Sequence, residues 1–480
     1  RCAMIFRQQL RAAISFHLAV SIAGHRGSER HGAAALDPAK QTCTANCLAK
    51  DYDGGALWKG LPEDTCFKCS GPCRAWGGKV CCCTGAGPFP QSRADQNGLT
   101  IMNFNTYLLA VTVFFKTWHS KPNIVIRAMG IAAWFNSLSL NQVPDVLVLN
   151  EIMSDAAKEL MRALCTRNWK KNKRDNMAAF LACDERSKFA FATRLSNPTE
   201  PIIPVKEGGV VVLVKNGNKI VSADDTAFGN GRSDDKMAWK GFWAVQMLKG
   251  TQEYWIFGTH TQAFEGPDNV RVRRRQFEMI RAYMNDRAPE RARVVVPEHA
   301  RVVVAGDMNI FTDPYLTKEG VEMMEPELES MLEALGSPDV PAQTPHLEPR
   351  GFWLELDSSL NFSADAVTNH YVHFQEQRLK SQAFDWVVFP ANNDAQFIGP
   401  KHAKMQYAPI KSPTCFKSEI STKAARGTYT DDLSDHYAVF AELCYADDCG
   451  QLVEPVRDAQ HPQHRGASNH LPSNNPFCVG

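Results

Sequence analysis

A series of short apolar runs, rich in β-branched and aromatic residues, constrains the fold of this chain more than any other feature. The runs lie at 99–113, 146–149, 209–214, 242–247, 254–258, 301–305, 384–389 and 437–443. One-sided apolar patterns with helical spacing lie between several of them, at 156–164, 270–287 and 321–335. Strands that alternate with helices over this length predict an α/β or α+β domain across residues 96–446.

The composition argues against a disordered chain and against a nucleic-acid-binding protein. The chain has 480 residues, 44% of them hydrophobic and 22% charged, which is typical of a folded, multidomain protein. Lys and Arg number 53 against 52 for Asp and Glu, a net charge of +1. No global positive field therefore draws the chain to nucleic acid, and we expect no nucleic-acid partner. The oligomeric state does not follow from the sequence.

Cysteine is unusually dense in one segment, residues 36–95. Eight of the 15 cysteines lie there: Cys43, Cys47, Cys66, Cys69, Cys73, Cys81, Cys82 and Cys83. This clustering predicts a disulfide-bonded module in an oxidising compartment. Zinc is the alternative, because Cys66 and Cys69 have ligand spacing, but no second pair follows at finger-like spacing. The sequence does not choose among the pairings.

The two ends of the chain differ from its middle. From Met4 a basic segment is followed by a moderately apolar stretch that ends in small residues, which resembles a secretory signal. The alternative for that stretch is a short buried or amphipathic helix. We predict a targeting segment and linker at 1–35, an extended tail at 447–480, and a secreted protein.

Polar residues follow or open the apolar runs, where α/β folds commonly place their sites. Each alone is typical of turn or helix-start chemistry. Together they supply what metal-assisted hydrolysis of a phosphate ester needs: a hard carboxylate ligand for Mg²⁺, histidines that act near neutral pH, and groups that orient the phosphate. They are Asn105, Glu151, His260, Asp307, Asn309, Asp385, Asp435 and His436.

The order of these motifs is similar to that of the endonuclease/exonuclease/phosphatase superfamily, and within it to secreted bacterial-type neutral sphingomyelinases. The matching blocks are VLNE at 148–151, EGGV at 207–210, KGF at 240–242, GTHTQA at 258–263, GDMN at 306–309 and SDHY at 434–437. The resemblance covers residues 99–443. It implies a DNase-I-like four-layer sandwich, two packed β-sheets flanked by helices. It further implies Mg²⁺-dependent cleavage of sphingomyelin to ceramide and phosphocholine at a membrane surface, with Mn²⁺ or Co²⁺ as substitutes.

The resemblance also implies roles for the residues that bind metal and phosphate. Glu151 would be the central Mg²⁺ ligand, with Asn105 nearby. His260 would contact the phosphate and stabilise charge in the transition state. Asp307 and Asn309 would position water and phosphate.

A second set would carry the proton chemistry. His436 would be the general base, with Asp435 at the site and Asp385 orienting a histidine. The bacterial branch also has a peripheral metal site, for which Asp155 and Glu207 are the nearest matches here; the turn departs from the family pattern, so this second site stays open.

The membrane-docking element differs from that of the branch. An aromatic hairpin precedes the Ser-Asp-His motif in the bacterial enzymes, whereas Ala424 and Ala425 stand there in this chain, among Lys411, Lys417, Lys423 and Arg426. Membrane docking would then be electrostatic, or aromatic residues of the cysteine-rich module would contact the lipid. The alternatives to a sphingomyelinase are a nuclease or an inositol phosphate phosphatase, and, from another class, a non-catalytic binding protein.

Overall fold

The computed structural model describes the greater part of the predicted catalytic domain and little outside it. The described residues are 74–76, 79–81, 97–113, 116–165, 180–184, 187–193, 209–232, 235, 240–285, 296–297, 299–312, 315–316, 323–324, 327–336, 352–353, 364, 369, 371–372, 382–390, 397–420 and 428–447. The predicted segment 1–35, the tail after 447 and all the clustered cysteines except Cys81 lie outside them.

The chain forms 21 strands and four helices in these residues. The strands are β1 (Arg74–Trp76), β2 (Lys79–Cys81), β3 (Gly98–Asn105), β4 (Ala110–Val113), β5 (Lys116–Ser120), β6 (Val146–Asn150), β7 (Phe180–Ala182), β8 (Phe189–Thr193), β9 (Val211–Lys215), β10 (Asn218–Ala227), β11 (Gly241–Lys249), β12 (Gln252–His260), β13 (Arg301–Asp307), β14 (Tyr315–Leu316), β15 (Met323–Met324), β16 (Phe352–Trp353), β17 (Asp385–Pro390), β18 (His402–Ala408), β19 (Lys411–Lys417), β20 (Tyr429–Asp432) and β21 (Ala438–Cys444). The helices are α1 (Ile124–Ser137), α2 (Asp155–Cys165), α3 (Pro267–Met284) and α4 (Leu328–Leu335).

Two mixed sheets dominate the fold. One has seven strands in the order β18-β21-β3-β6-β9-β8-β7, and the other has six in the order β10-β11-β12-β13-β17-β16. In each sheet one neighbouring pair is parallel, β3 with β6 and β12 with β13, and the other main pairs are antiparallel. The two parallel pairs bring four carboxyl-terminal strand ends to one edge of the molecule.

The sheets pack face to face around an apolar core. Val148 and Val212 of the seven-stranded sheet face Gly258 of β12, where an added Cβ would lie 2.6 Å from Val212 Cγ2. Only a glycine allows this approach, so the glycine of the Gly-Thr-His motif sets how closely the sheets meet. Gly306 has the same constraint within its sheet, because a Cβ there would lie 2.0 Å from the Thr259 carbonyl oxygen.

Helices cover the outer faces. Helices α1 and α2 bury apolar side chains such as Trp134 and Leu160 against the outer side of the seven-stranded sheet. On the other side, Tyr283 of α3 packs edge-on against Phe242 and Phe257, at ring-centroid distances of 5.4 and 5.9 Å. The predicted α/β sandwich of two helix-flanked sheets is confirmed. Within the described residues, no helix is both long enough and apolar enough to cross a bilayer.

Three details differ from the sequence prediction. The first apolar run, 99–113, is split: β3 ends at Asn105, and β4 belongs to a separate two-stranded sheet. The predicted helix at 321–335 is shorter, because Met323 and Met324 form β15, which pairs with β14, and α4 runs only from Leu328 to Leu335. A disulfide joins Cys165 to Cys183, two of the cysteines outside the cluster.

Candidate active site

Strand ends from both sheets converge at one edge. Asn105 is opposite Asn150 in the seven-stranded sheet, and Asp307 is opposite both His260 and Asp385 in the other. Asn105 Nδ2 donates to Asp307 Oδ2 at 2.8 Å and thereby links the two sheets across the site. The residues that the sequence assigned to separate strand ends therefore lie together.

His436 is held by two hydrogen-bonding contacts, and one of the partners is itself anchored. Its Nδ1 lies against Asp385 Oδ2, and its backbone N–H donates to Ser434 Oγ at 3.1 Å. The Ser434 hydroxyl in turn donates to the Asn105 carbonyl at 2.6 Å. Burial alone would lower the pKa of His436, but the carboxylates of Asp385, Asp435 and Asp307 outweigh it and hold that pKa well above its usual value. The ring is thereby fixed in one orientation with Nε2 left for chemistry.

Asp307 occupies the centre of the site. Its Oδ1 accepts the Asn309 backbone N–H at 3.0 Å, and its Oδ2 lies 3.4 Å from His260 Nε2. Burial, together with the nearby Asp385 charge, raises the pKa of Asp307 to about 7. Asn309 adopts a positive φ of 50°, and its Nδ2 donates to the Thr261 carbonyl at 3.2 Å. Asp307 and Asn309 are thus joined to the strand that carries His260.

The buried ammonium group of Lys240 contacts both His260 and Asp235. Lys240 Nζ lies 3.0 Å from His260 Nε2 and 2.9 Å from Asp235 Oδ2, and donates to the Thr261 carbonyl at 2.6 Å. Burial, followed by the charges of Lys240 and His436, lowers the pKa of His260 well below its usual value. The imidazole is therefore neutral, and its Nε2 is the acceptor of the lysine ammonium.

Glu151 has a strained backbone conformation and, within the described part of the chain, a carboxylate oxygen without a hydrogen-bond partner, two features that are common in ligand-binding residues. It directly follows β6 with a φ of 58°, a conformation that costs energy for a side chain with a Cβ. Its Oε2 is buried and has no hydrogen-bond partner among the described residues. The Glu151 charge also raises the pKa of Asp435, which burial first lifts, to about 6. A buried carboxylate oxygen without a partner, near enough to a second acid to interact with it electrostatically, is an arrangement that a divalent cation stabilises.

A second group of side chains has the spacing of metal ligands. The ligand atoms of Asp307, Asp385 and His436 lie within 4.8 Å of one another. In this group, however, His436 Nδ1 and Asp385 already satisfy each other, and Asn103 Nδ2 donates to Asp385 Oδ1 at 3.0 Å. The unsatisfied oxygen belongs to Glu151, so the donor chemistry fits a hard cation better there. Asn105 has both ends of its amide engaged, with Asp307 and with the Tyr107 N–H.

The predicted peripheral pair is only half described. Asp155 is the first residue of α2, is exposed, and pairs with Lys158 at 3.4 Å. Glu207 lies outside the described residues. The peripheral site therefore stays a prediction.

Sequence reasoning assigned no role to three residues that support the site: Asn103, Arg127 and Lys240, the last of which stands in the KGF block. Asn103 was detectable, because it lies two residues before Asn105 and so shares its face of β3. Arg127 is fully buried on α1 and donates to the carbonyls of Thr106, Leu433 and Tyr107, which fixes two loops beside the site. A lone arginine in a helix gives no sequence signal of such a role.

In its sequence, the chain is similar to a known sphingomyelinase over part of its length. No model of a known protein family matches the chain. Sphingomyelinase C of Leptospira interrogans is 25% identical over 211 residues, which is 43% of this chain and 30% of that protein. The chain resembles the sphingomyelinases of the endonuclease/exonuclease/phosphatase superfamily. The match covers less than a third of that sphingomyelinase's own length.

Solved structures match over a larger part of the chain. A beta toxin variant from Staphylococcus aureus with bound magnesium ions covers 72% of this chain and 98% of its own, with a TM-score of 0.51 and 18% identity. A second beta toxin structure from that organism gives 0.50, with 20% identity, over 72% and 99%. At these identities the likeness concerns the fold, which is the DNase-I-like sandwich implied by the sphingomyelinase resemblance.

Proposed function

We propose that this chain is a divalent-metal-dependent phosphodiesterase that cleaves sphingomyelin to ceramide and phosphocholine. The observation that carries the proposal is the joining of His436, Asp385, Asp307 and Asn105 at one edge of two sheets. It supplies an oriented imidazole beside acids and amides that can hold a phosphodiester. The resemblance to a sphingomyelinase C supports the choice of substrate.

Proton transfer, charge stabilisation and positioning of the phosphate are assigned to different residues. His436, oriented through Nδ1 by Asp385, takes a proton at Nε2 from the attacking water. The Lys240 ammonium and the neutral His260 stabilise negative charge that develops on the phosphoryl oxygens. Asn309, anchored to Asp307 through its backbone N–H, positions the phosphate opposite the water.

Glu151 is the residue that would hold the cation, with Asn105 beside it and Asp435 close enough to interact electrostatically. When bound, Mg²⁺ would neutralise charge on the phosphate and its leaving oxygen. Mn²⁺ or Co²⁺ would serve as substitutes, because both accept oxygen ligands.

We also propose that the protein is secreted and acts on sphingomyelin-containing membrane surfaces. The Cys165–Cys183 disulfide supports an oxidising compartment, since such bonds rarely persist in the cytosol. The near-zero net charge favours a lipid over a nucleic-acid substrate.

The test is phosphocholine release from sphingomyelin vesicles, with Mg²⁺ and with EDTA, by the wild type and by His436→Ala. Release that requires both the metal and His436 supports the proposal. A folded protein that binds Mg²⁺ but releases nothing contradicts the substrate, and plasmid DNA and inositol phosphates are then assayed. Plasmid nicking as fast as lipid cleavage would favour a nuclease.

A further inference from the structure

The loop that follows His260 is clamped by buried side chains of α3. The Arg273 guanidinium donates to the carbonyls of Gln262 at 2.9 Å and Phe264 at 2.7 Å, and it also forms a two-point ion pair with Glu327. Gln276 Oε1 accepts the Gln262 backbone N–H at 2.8 Å. Three buried residues, Arg273, Gln276 and Glu327, therefore fix the course of a four-residue loop.

Phe264, which these hydrogen bonds hold in place, has an unfavourable backbone conformation and an exposed side chain. Its φ is 72°, in the left-handed region that a bulky residue rarely adopts. Its side chain is 45% exposed, so the ring gains little from burial in the protein. Strain that the surrounding structure enforces is characteristic of functional positions. The fold thus keeps an aromatic ring at the surface at a cost in stability.

Phe264 lies at the edge of the molecule that carries the candidate site. It is four residues beyond His260, a separation of at most about 14 Å along the chain. Two other exposed apolar residues lie at the opposite edge: Leu140, 61% exposed, precedes the start of β6, and Ile398, 42% exposed, pairs with Arg301 at the start of β13. Val221, 43% exposed, lies within β10, and Tyr429, 42% exposed, opens β20. Among these exposed apolar residues, Phe264 alone combines exposure with a positive φ.

Two guanidinium groups meet at Asp268, four residues beyond Phe264 in the chain. The Arg232 backbone N–H donates to Gln262 Oε1 at 2.8 Å, which ties Arg232 to the loop. The side chains of Arg232 and Arg271 both pair with Asp268, and they are 49% and 66% exposed. One carboxylate cannot occupy ten guanidinium N–H groups, so donors on this surface face solvent. An aromatic ring beside exposed guanidinium donors complements a phospholipid surface, which offers acyl chains beneath phosphates.

We infer that Phe264, with Arg232 and Arg271 beside it, is a membrane-docking surface that seats the active-site edge on a phospholipid bilayer. The inference rests on the proposed function, because it assumes a lipid substrate. It differs from the docking elements expected from the sequence. Of those, Lys411 is ion-paired with Asp431 and Asp432, and residues 421–427 lie outside the described part of the chain.

Vesicle binding tests the docking surface without any turnover. Full-length protein carrying His436→Ala is sedimented with vesicles of sphingomyelin and phosphatidylcholine, with Phe264→Ala, Phe264→Gly, Phe264→Trp or Leu140→Ala added. We expect Phe264→Ala and Phe264→Gly to weaken binding roughly tenfold, as loss of one buried aromatic ring would. Phe264→Trp should keep binding, since indole also favours the interface. Leu140→Ala, which removes a more exposed residue from the opposite edge, is the matched control.

Two further readouts separate the alternatives. Phe264→Gly should not lower the Tm, because glycine relieves the positive φ, so weaker binding by this variant is not a folding defect. With His436 intact, Phe264→Ala should lower the ratio of activity on vesicles to activity on dispersed short-chain sphingomyelin about tenfold. Equal binding by the wild type, Phe264→Gly and Phe264→Ala would overturn the inference. If the wild type cleaves neither substrate while Phe264→Gly still loses vesicle binding, the proposed function fails and the docking surface stands.

Discussion

His436 Nδ1 and Asp385 Oδ2 form a direct contact between two segments 51 residues apart in sequence. The other oxygen of Asp385, a residue of the six-stranded sheet, accepts the Asn103 amide of the seven-stranded sheet at 3.0 Å, so both carboxylate oxygens are held across the two sheets. This arrangement leaves one imidazole nitrogen, Nε2, for proton transfer. Several consequences can be measured.

The rate should depend on pH through His436. A general base must be neutral, and the surrounding carboxylates raise the pKa of His436 above 6.5 despite its burial. Activity should therefore rise with pH through an apparent pKa above 6.5 and be lost below it. The measurement is kcat/KM on a dispersed substrate from acidic to alkaline pH. A flat profile with chemistry rate-limiting would argue against His436 as the base.

Asp385→Asn should impair the same step. The substitution removes the negative charge beside the imidazole, so the pKa of His436 should fall and the ascending part of the pH profile should move to lower pH. The orientation of the ring also suffers, and we expect kcat to fall by about 100-fold or more. Glu278→Gln, an exposed change on α3, serves as the control. An unshifted profile in Asp385→Asn would disprove the pairing as a functional one.

Glu151→Gln should separate metal binding from folding. The variant removes the charge of a partly buried carboxylate whose Oε2 has no hydrogen-bond partner among the described residues, so the metal-free protein should be at least as stable as the wild type. Mg²⁺ should raise the Tm of the wild type, because it binds only the folded state, and should raise that of the variant much less. Thermal unfolding with and without Mg²⁺ measures both effects. The same Mg²⁺-induced shift in both proteins would refute Glu151 as the central ligand.

Lys240→Met should act in two separable ways. It leaves the buried Asp235 carboxylate unpaired, which should cost about 3 kcal/mol in the free energy of unfolding. The double variant Lys240→Met/Asp235→Asn should recover part of that loss. Activity should stay low in both, by about 100-fold, because the cation beside His260 is missing in each. Recovery of activity along with stability would mean that Lys240 is only structural.

The Cys165–Cys183 disulfide should stabilise the domain. It joins the end of α2 to the segment after β7 across a sequence separation of 18 residues. Replacing both cysteines with alanine should lower the free energy of unfolding by about 3 kcal/mol. Urea unfolding of the double variant measures this. A reductant should destabilise the wild type more than the variant, by about the same 3 kcal/mol, since the other disulfides are reduced in both proteins.

Much of the site was readable from the sequence because it depends on strand ends. A buried β-run that ends in Asp-x-Asn or in Thr-His places those side chains at a sheet edge whatever the rest of the fold does. Glu151, His260 and Asp307 were predicted from such strand ends, and His436 was predicted from the polar residues that open the last apolar run. Lys240 and Arg127 were not, because a single cation before a strand or within a helix is far more often solvent-exposed.

The sequence alone determined the alternation of strands and helices and the polar residues at each strand end. These follow from local periodicity and side-chain size. Only the tertiary structure decided that Asp385 meets His436, that Asn105 bridges to Asp307, and that Arg273 clamps the loop bearing Phe264. Those contacts join segments distant in sequence, and their geometry depends on how two sheets and a helix pack, which no local pattern encodes.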